Sequence, residues 1–363
     1  MPIALLDRPS RCLVPLLLGA LLSGCSSLDY YSQIGRGQLD LLAARRPVDD
    51  LLADASTSDD LKHRLALAQQ ARDFASASLA LPNNRSYRVY ADLGRPYVVW
   101  NVFATPELSL EPVTHCFPIA GCVAYRGFYQ QGRALGAAAL LKGEGMDTYV
   151  AGIEAYSTLG WFDDPILNTM LHWDDERLAA VIFHELAHQQ LYVAGDTAFN
   201  ESFASFVEQE GLRQWRATRH LAPAHPADEL QRRQFTEMIL ASRARLQALY
   251  ESPATEDTKR AGKAAEFERL RAEYRKLRET HWNGDRRYDA WMAQPLNNAR
   301  LLPFGLYDRW VDAFATLFHA AGGDWPTFYR RAAALGELAT DEREQALAAL
   351  VEQRKDTPRR AMQ

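Results

Sequence analysis

No excess of positive charge marks this sequence. Its 41 Lys and Arg stand against 46 Asp and Glu, a formal charge of −5, and no basic block dominates. That balance argues against a general nucleic-acid binder. Internal repeats and low-complexity segments are also missing, which excludes solenoids and Pro- or Gly-rich linker proteins. There is no glycine pattern that would cradle a phosphate and no serine in G-x-S-x-G context, so neither P-loop chemistry nor an α/β-hydrolase nucleophile is expected. Long apolar runs are lacking too. The stretch 12–22 is interrupted by Pro15 and Gly19 and is too short to cross a bilayer as a permanent helix. Cysteine is scarce, four in 363 residues.

What is present is ordinary globular material, 47% hydrophobic and 24% charged, with room for one large domain or two smaller ones. The amino terminus reads as a processing segment. Arg8 and Arg11 precede the apolar stretch, which leads into Leu22-Ser23-Gly24-Cys25. That tetrad resembles the lipobox of bacterial lipoproteins. The resemblance implies a signal peptide over 1–24, lipid on the Cys25 thiol, and attachment to a membrane in the bacterial cell envelope. Ser26 after the cysteine implies the outer membrane, facing the periplasm. In that compartment Cys116 and Cys122, with five residues between them, are expected to oxidise into a small loop.

Helical patterning covers 28–45, and again from about Ser58, with Ser58 or Asp59 as cap, to about Leu79, where Pro82-Asn83-Asn84 breaks it. Between 85 and 158 the chain turns β-rich, at 97–103, 122–125 and 148–153, with a helix near 130–142. From 222 to about 281 it is charged and helical. Phe235, Ile239, Leu246 and Leu249 step along one run, and Phe267, Leu270, Tyr274 and Leu277 along the next. Ser252-Pro253-Ala254-Thr255 parts them, so an inserted antiparallel hairpin over about 222–283 is expected; its charged faces read as solvated surface or as a protein-binding arm. An amphipathic stretch covers 307–319, and a closing helix runs from Trp325 to about Val351.

Chemistry concentrates in His184-Glu185-Leu186-Ala187-His188. No Gly or Pro interrupts 174–194, so one buried helix is expected there. Residues four apart share a face, so His184 and His188 can take two corners of a zinc tetrahedron. Glu185, about 100° round the helix, is placed to take a proton from metal-activated water, as in H-E-x-x-H metalloproteases. Two His and a Glu in an apolar helix would be costly to bury without a partner, and one Zn²⁺ per chain supplies it.

A catalytic zinc needs a third protein ligand. Leu191 and Ala194 stand where the metzincin variant would have Gly and His, which excludes that variant. Instead Phe199-Asn200-Glu201-Ser202-Phe203-Ala204 opens a second helix. It resembles the Asn-Glu of gluzincins such as thermolysin, whose Glu is the third ligand, and so implies Glu201. The interval from His188 to Glu201 is shorter than thermolysin's. The chain as a whole is similar to a family of bacterial lipoproteins regarded as zinc aminopeptidases. Besides the lipobox, the resemblance rests on Tyr-Val-Val-Trp-Asn-Val-Phe-Ala at 97–104, the cysteine segment with Tyr125-Arg126-Gly127, His-Glu-Leu-Ala-His-Gln, Phe-Asn-Glu-Ser-Phe-Ala, and Leu-Asn-Asn-Ala at 296–299. It implies an α+β, zincin-like fold, a small mixed sheet packed on the HExxH helix followed by a mostly helical part. A tether and helix would occupy 25–57 and the peptidase domain 58–363.

Further groups follow from position. Glu208, seven residues after Glu201, could hold the free N–H of His184 or His188. Tyr307 is the first candidate to stabilise a developing oxyanion, with Tyr125 and Arg126 next. The segment 148–157 could be an edge strand pairing with an extended peptide, and Glu154 on it could hold a substrate α-amino group. The expected function is a zinc-dependent peptidase, an aminopeptidase first, acting on peptides. A zinc endopeptidase and a zinc-bearing, non-catalytic lipoprotein that binds a protein through the hairpin are the alternatives.

Overall fold

The computed structural model describes residues 13–117, 121–155, 157–222, 226–304 and 309–356. Two compact units divide the chain after Ala44. The first contains α1 (Leu13–Ala43), which begins well before the helix expected at 28–45. Among the described residues no helix is long and apolar enough to cross a membrane.

The second unit mixes α and β. It opens with β1 (Arg45–Pro47), α2 (Val48–Ala53) and α3 (Asp59–Ala77). Ser58 caps α3 by accepting the Leu61 N–H at 3.3 Å. There follow β2 (Val89–Ala91), β3 (Val99–Pro106), β4 (His115–Phe117), β5 (Gly121–Val123), β6 (Arg126–Phe128), α4 (Gln131–Gly143), β7 (Met146–Ile153) and β8 (Ile166–Leu167). The metal helix expected over 174–194 is α5 (Asp175–Gln190), started by Asp174, whose carboxylate accepts the Arg177 N–H at 2.8 Å. After it come α6 (Thr197–Thr218), the hairpin α7 (Pro226–Glu251) and α8 (Glu256–His281), then α9 (Asp289–Ala293), α10 (Asn298–Leu301), α11 (Val311–Ala320), α12 (Trp325–Gly336) and α13 (Thr340–Asp356).

Three expectations need correction. The strands make three small sheets, not one. They are the antiparallel β6-β3-β7, the mixed β1-β2-β8, and the β4-β5 ribbon closed by the Cys116–Cys122 disulfide. Nor is a sheet the main support of α5, which packs chiefly between α6 and α3. Leu65, Ala68, Ala71 and Ala75 bury one face of α3, and small residues there let two helices approach closely. Gly211 of α6 shows how close: a Cβ on it would lie 2.7 Å from Leu79 and 3.1 Å from Phe183 of α5. Finally, the closing helix breaks in two at 337–339, because Arg343, buried at 5%, turns back to donate to the carbonyls of Gly336 and Leu338. Those bonds satisfy carbonyls that a continuing helix would have paired.

The hairpin is built into the fold. Phe235, Ile239 and Leu246 of α7 and Phe267, Leu270 and Tyr274 of α8 share one core with Trp282, Met292 and Leu301. Asn298, fully buried, bonds the carbonyls of Glu107 and Ser109 and the Tyr250 hydroxyl, and Lys263 pairs with Asp147 at 2.7 Å. The Leu-Asn-Asn-Ala segment thus ties the hairpin to the ends of β3 and β7.

Candidate metal centre

α5 ends at Gln190, earlier than the unbroken pattern of apolar residues implies. Leu191 leaves the helix with φ −151° and ψ 127°. The cause lies in α6. Asn200, 1% exposed, accepts the Val193 N–H at 2.8 Å and donates to the Val193 carbonyl at 2.7 Å, holding the connection in a fixed turn. Asp196 caps α6 through the Phe199 N–H and pairs with Arg343 at 2.9 Å. The ribbon β4-β5 leans on this turn. Gly121, at φ +72°, would put a Cβ 2.7 Å from the Gly195 nitrogen, so only glycine fits both the conformation and the approach.

This packing sets Glu201, next to the clamped Asn200, against the two imidazoles. His184 Nε2 and His188 Nε2 lie 3.2 Å apart, and the Glu201 carboxylate is 3.5 Å from the first and 3.8 Å from the second. The three ligand atoms fall within 4.8 Å of one another, a group able to hold a metal ion. Glu208, a further two turns along α6, meets His184 Nδ1 at 2.9 Å. If that nitrogen carries the hydrogen, His184 Nε2 turns a lone pair inward, as a metal-ligating His with a carboxylate behind it does. His188 Nδ1 is buried with no hydrogen-bond partner among the described residues, so that ring has no counterpart of Glu208 behind it. Two imidazole nitrogens and a carboxylate oxygen are the donor set that zinc accepts, and the residues fit such an ion.

The electrostatics agree with a site made for a cation. Burial opposes charge on His184, but its bonds to Glu201 and Glu208 outweigh this and raise its pKa well above the usual value. Burial pushes His188 down to about 4. Burial also opposes ionisation of Glu201, yet the neighbouring His188 and His184 keep it below the ordinary carboxylate range. Burial and the neighbouring carboxylates thus pull His184 and His188 in opposite directions. Glu185 is no part of the three-ligand group. Loss of hydration pushes its carboxyl up to about 7, against the opposing pull of His184.

Residues 29–347 match the model of the family described as "putative aminopeptidase". The chain belongs to that family. No curated protein and no solved structure matches it. The description names an aminopeptidase only as putative, so what this member of the family does rests on its own residues.

The remaining residues singled out in the sequence fall in different places. Tyr307 lies outside the described residues. Tyr125 packs on Phe103, ring centroids 5.5 Å apart, in a cluster with Ala299 and Leu302, and Arg126 faces Val102 across the β3-β6 pair. These contacts belong to the sheet rather than to the His pair. β7 is an edge strand, and Glu154 follows its last residue. The Glu154 carboxylate takes Trp173 Nε1 at 3.0 Å, Arg177 at 3.1 Å and His172 at 3.3 Å. Two neighbours of the centre went unnoticed in the sequence. Tyr192 sits 6.4 Å from His188, ring to ring, and burial together with the Glu201 charge raises its pKa. Asp164, 2% exposed, acts electrostatically on Glu185. Tyr192 lies beyond the end of α5, so no helical spacing marks it, and nothing in its sequence context marks Asp164.

Proposed function

We propose that the protein is a zinc-dependent peptidase of the gluzincin type with a zincin-like catalytic core, acting as an aminopeptidase. One observation carries the reading. Three ligand atoms from His184, His188 and Glu201 converge, while Glu185, beside His184 on the helix, stays outside the ligand set. Zinc in such a set polarises a carbonyl and makes water more acidic. With such an ion bound, Glu185 would accept the proton from the attacking water and return it to the leaving amine. Glu208 holds the His184 ring through Nδ1, and Asn200 fixes the turn that presents Glu201.

The edge of β7 supports a peptide substrate, since an extended chain can pair with an unpartnered strand edge. For the α-amino group we retain Glu154, from which an incoming ammonium would displace Arg177. Lipid on Cys25 and a place in the bacterial envelope remain our reading of Leu22-Ser23-Gly24-Cys25. Digestion of a peptide library by the zinc-loaded protein tests the function. Cleavage of free but not N-acetylated peptides is expected; equal cleavage of both makes the protein an endopeptidase, and no cleavage of either refutes the proposal.

A further inference from the structure

Trp161 and Phe162 are left in solvent, 67% and 46% exposed, on a loop that is otherwise tightly anchored. The anchor is the buried carboxylate of Asp164. It accepts the Thr158 hydroxyl at 2.6 Å, the Thr158 N–H at 3.1 Å, the Ser157 hydroxyl at 3.2 Å and Gln189 Nε2 at 3.2 Å. The Phe162 N–H donates to the Thr158 hydroxyl and the Trp161 N–H to the Thr158 carbonyl, closing the turn beneath the two rings. Leu159 is held at φ 57°, a left-handed conformation that leucine rarely adopts, so the loop's shape is imposed by its anchor. Two adjacent large apolar side chains on a restrained loop make a fixed apolar surface in solvent.

The anchor of this loop reaches the helix that carries Glu185. Gln189, which ties the anchor to α5, lies one turn beyond Glu185 on the same helix face, and Asp164 is near enough to act on the Glu185 carboxylate. At its other end the loop continues from Ile153, the last residue of β7. Asn297 bonds the Thr148 carbonyl, so the first half of β7 is engaged by the 296–299 segment. The second half of β7 is the half that precedes the loop carrying Trp161 and Phe162.

We propose that Trp161 and Phe162 form an apolar wall that selects peptides with a bulky apolar side chain beside the scissile bond. This rests on the peptidase reading given above. Asp164 is a positioning residue that acts through the loop.

The test compares kcat/KM for two peptides that differ at one position, Phe against Ser, in the parent, Trp161→Ala, Phe162→Ala and the double variant, each with zinc content checked. The parent is expected to favour Phe, and the double variant to lose at least about tenfold of that ratio. Binding of the same peptides to zinc-loaded Glu185→Gln, with and without Trp161→Ala, gives a readout free of turnover. There the Kd for the Phe peptide should rise about tenfold and that for the Ser peptide much less. A parent without preference for Phe, or variants with an unchanged ratio, overturns the wall while leaving the peptidase standing. No cleavage by the parent and no binding by Glu185→Gln overturns the peptidase reading, and the wall with it.

Discussion

Asn200→Ala should damage both stability and metal binding, although Asn200 touches no metal. Its amide closes two hydrogen bonds on the Val193 backbone, at 2.8 and 2.7 Å, and is itself 1% exposed. A net hydrogen bond contributes about 1 kcal/mol, and a buried group left unpaired costs about 1–3 kcal/mol. Val193 is half-buried, so water can reach part of what is lost, and a total of about 2–3 kcal/mol is the sensible figure. For a domain of this size that lowers Tm by roughly 3–5 °C. Glu201 is the next residue, and loosening its turn should weaken zinc binding about 10- to 100-fold, as loss of groups behind metal ligands commonly does. Asn200→Asp keeps the acceptor for Val193 N–H but not the donor, and should fall between parent and alanine. Thermal unfolding with and without zinc, together with titration against a chromophoric chelator, measures both effects. An Asn200→Ala protein with Tm within about 1 °C of the parent and equal zinc affinity would refute the reasoning.

Two further outcomes follow from the same geometry. Glu208→Gln keeps the size of the group behind His184 Nδ1 but loses its charge, and should weaken zinc about tenfold in chelator competition; unchanged affinity would show that packing alone orients the ring. In metal-free protein, burial holds the Glu185 carboxyl at about 7, above its ordinary 4.5. The folded state therefore holds that proton more tightly, and the group's contribution is full below about pH 4.5 and lost as pH rises through about 7. Glu185→Gln has no proton to give up, so in chelator its stability should gain on the parent between about pH 5 and 8, by up to roughly 3 kcal/mol in urea unfolding. A parallel pH dependence for the two proteins would remove the buried-carboxyl account.

How much was legible in the sequence depends on where the deciding contact lies. The metal pair could be read because a helix brings residues four apart together whatever surrounds it, and the Asn-Glu pair stood out by its likeness to a known motif. The end of α5 could not, because apolar residues continue to Tyr192 and the helix is stopped by a side chain ten residues beyond its last residue, Asn200. The break in the closing helix hides in the same way, set by Arg343 reaching back to Gly336 and Leu338. Leu-Asn-Asn-Ala was recognisable as a motif, yet its role in tying the hairpin to β3 and β7 appears only when Asn298 is seen among Glu107, Ser109 and Tyr250. Asp164 shows the limit most plainly. A buried carboxylate is defined by its donors, and four donors from a loop and a helix leave no spacing to detect.

The central claim is that Glu185 does chemistry at a metal it does not hold. Hydrolysis of a free amino-terminal peptide by zinc-loaded parent and zinc-loaded Glu185→Gln, with metal measured on the same samples, tests it most directly. The account predicts equal zinc and a rate at least about a hundredfold lower in the variant, the loss expected when a general base is removed. Equal rates at equal zinc would contradict it.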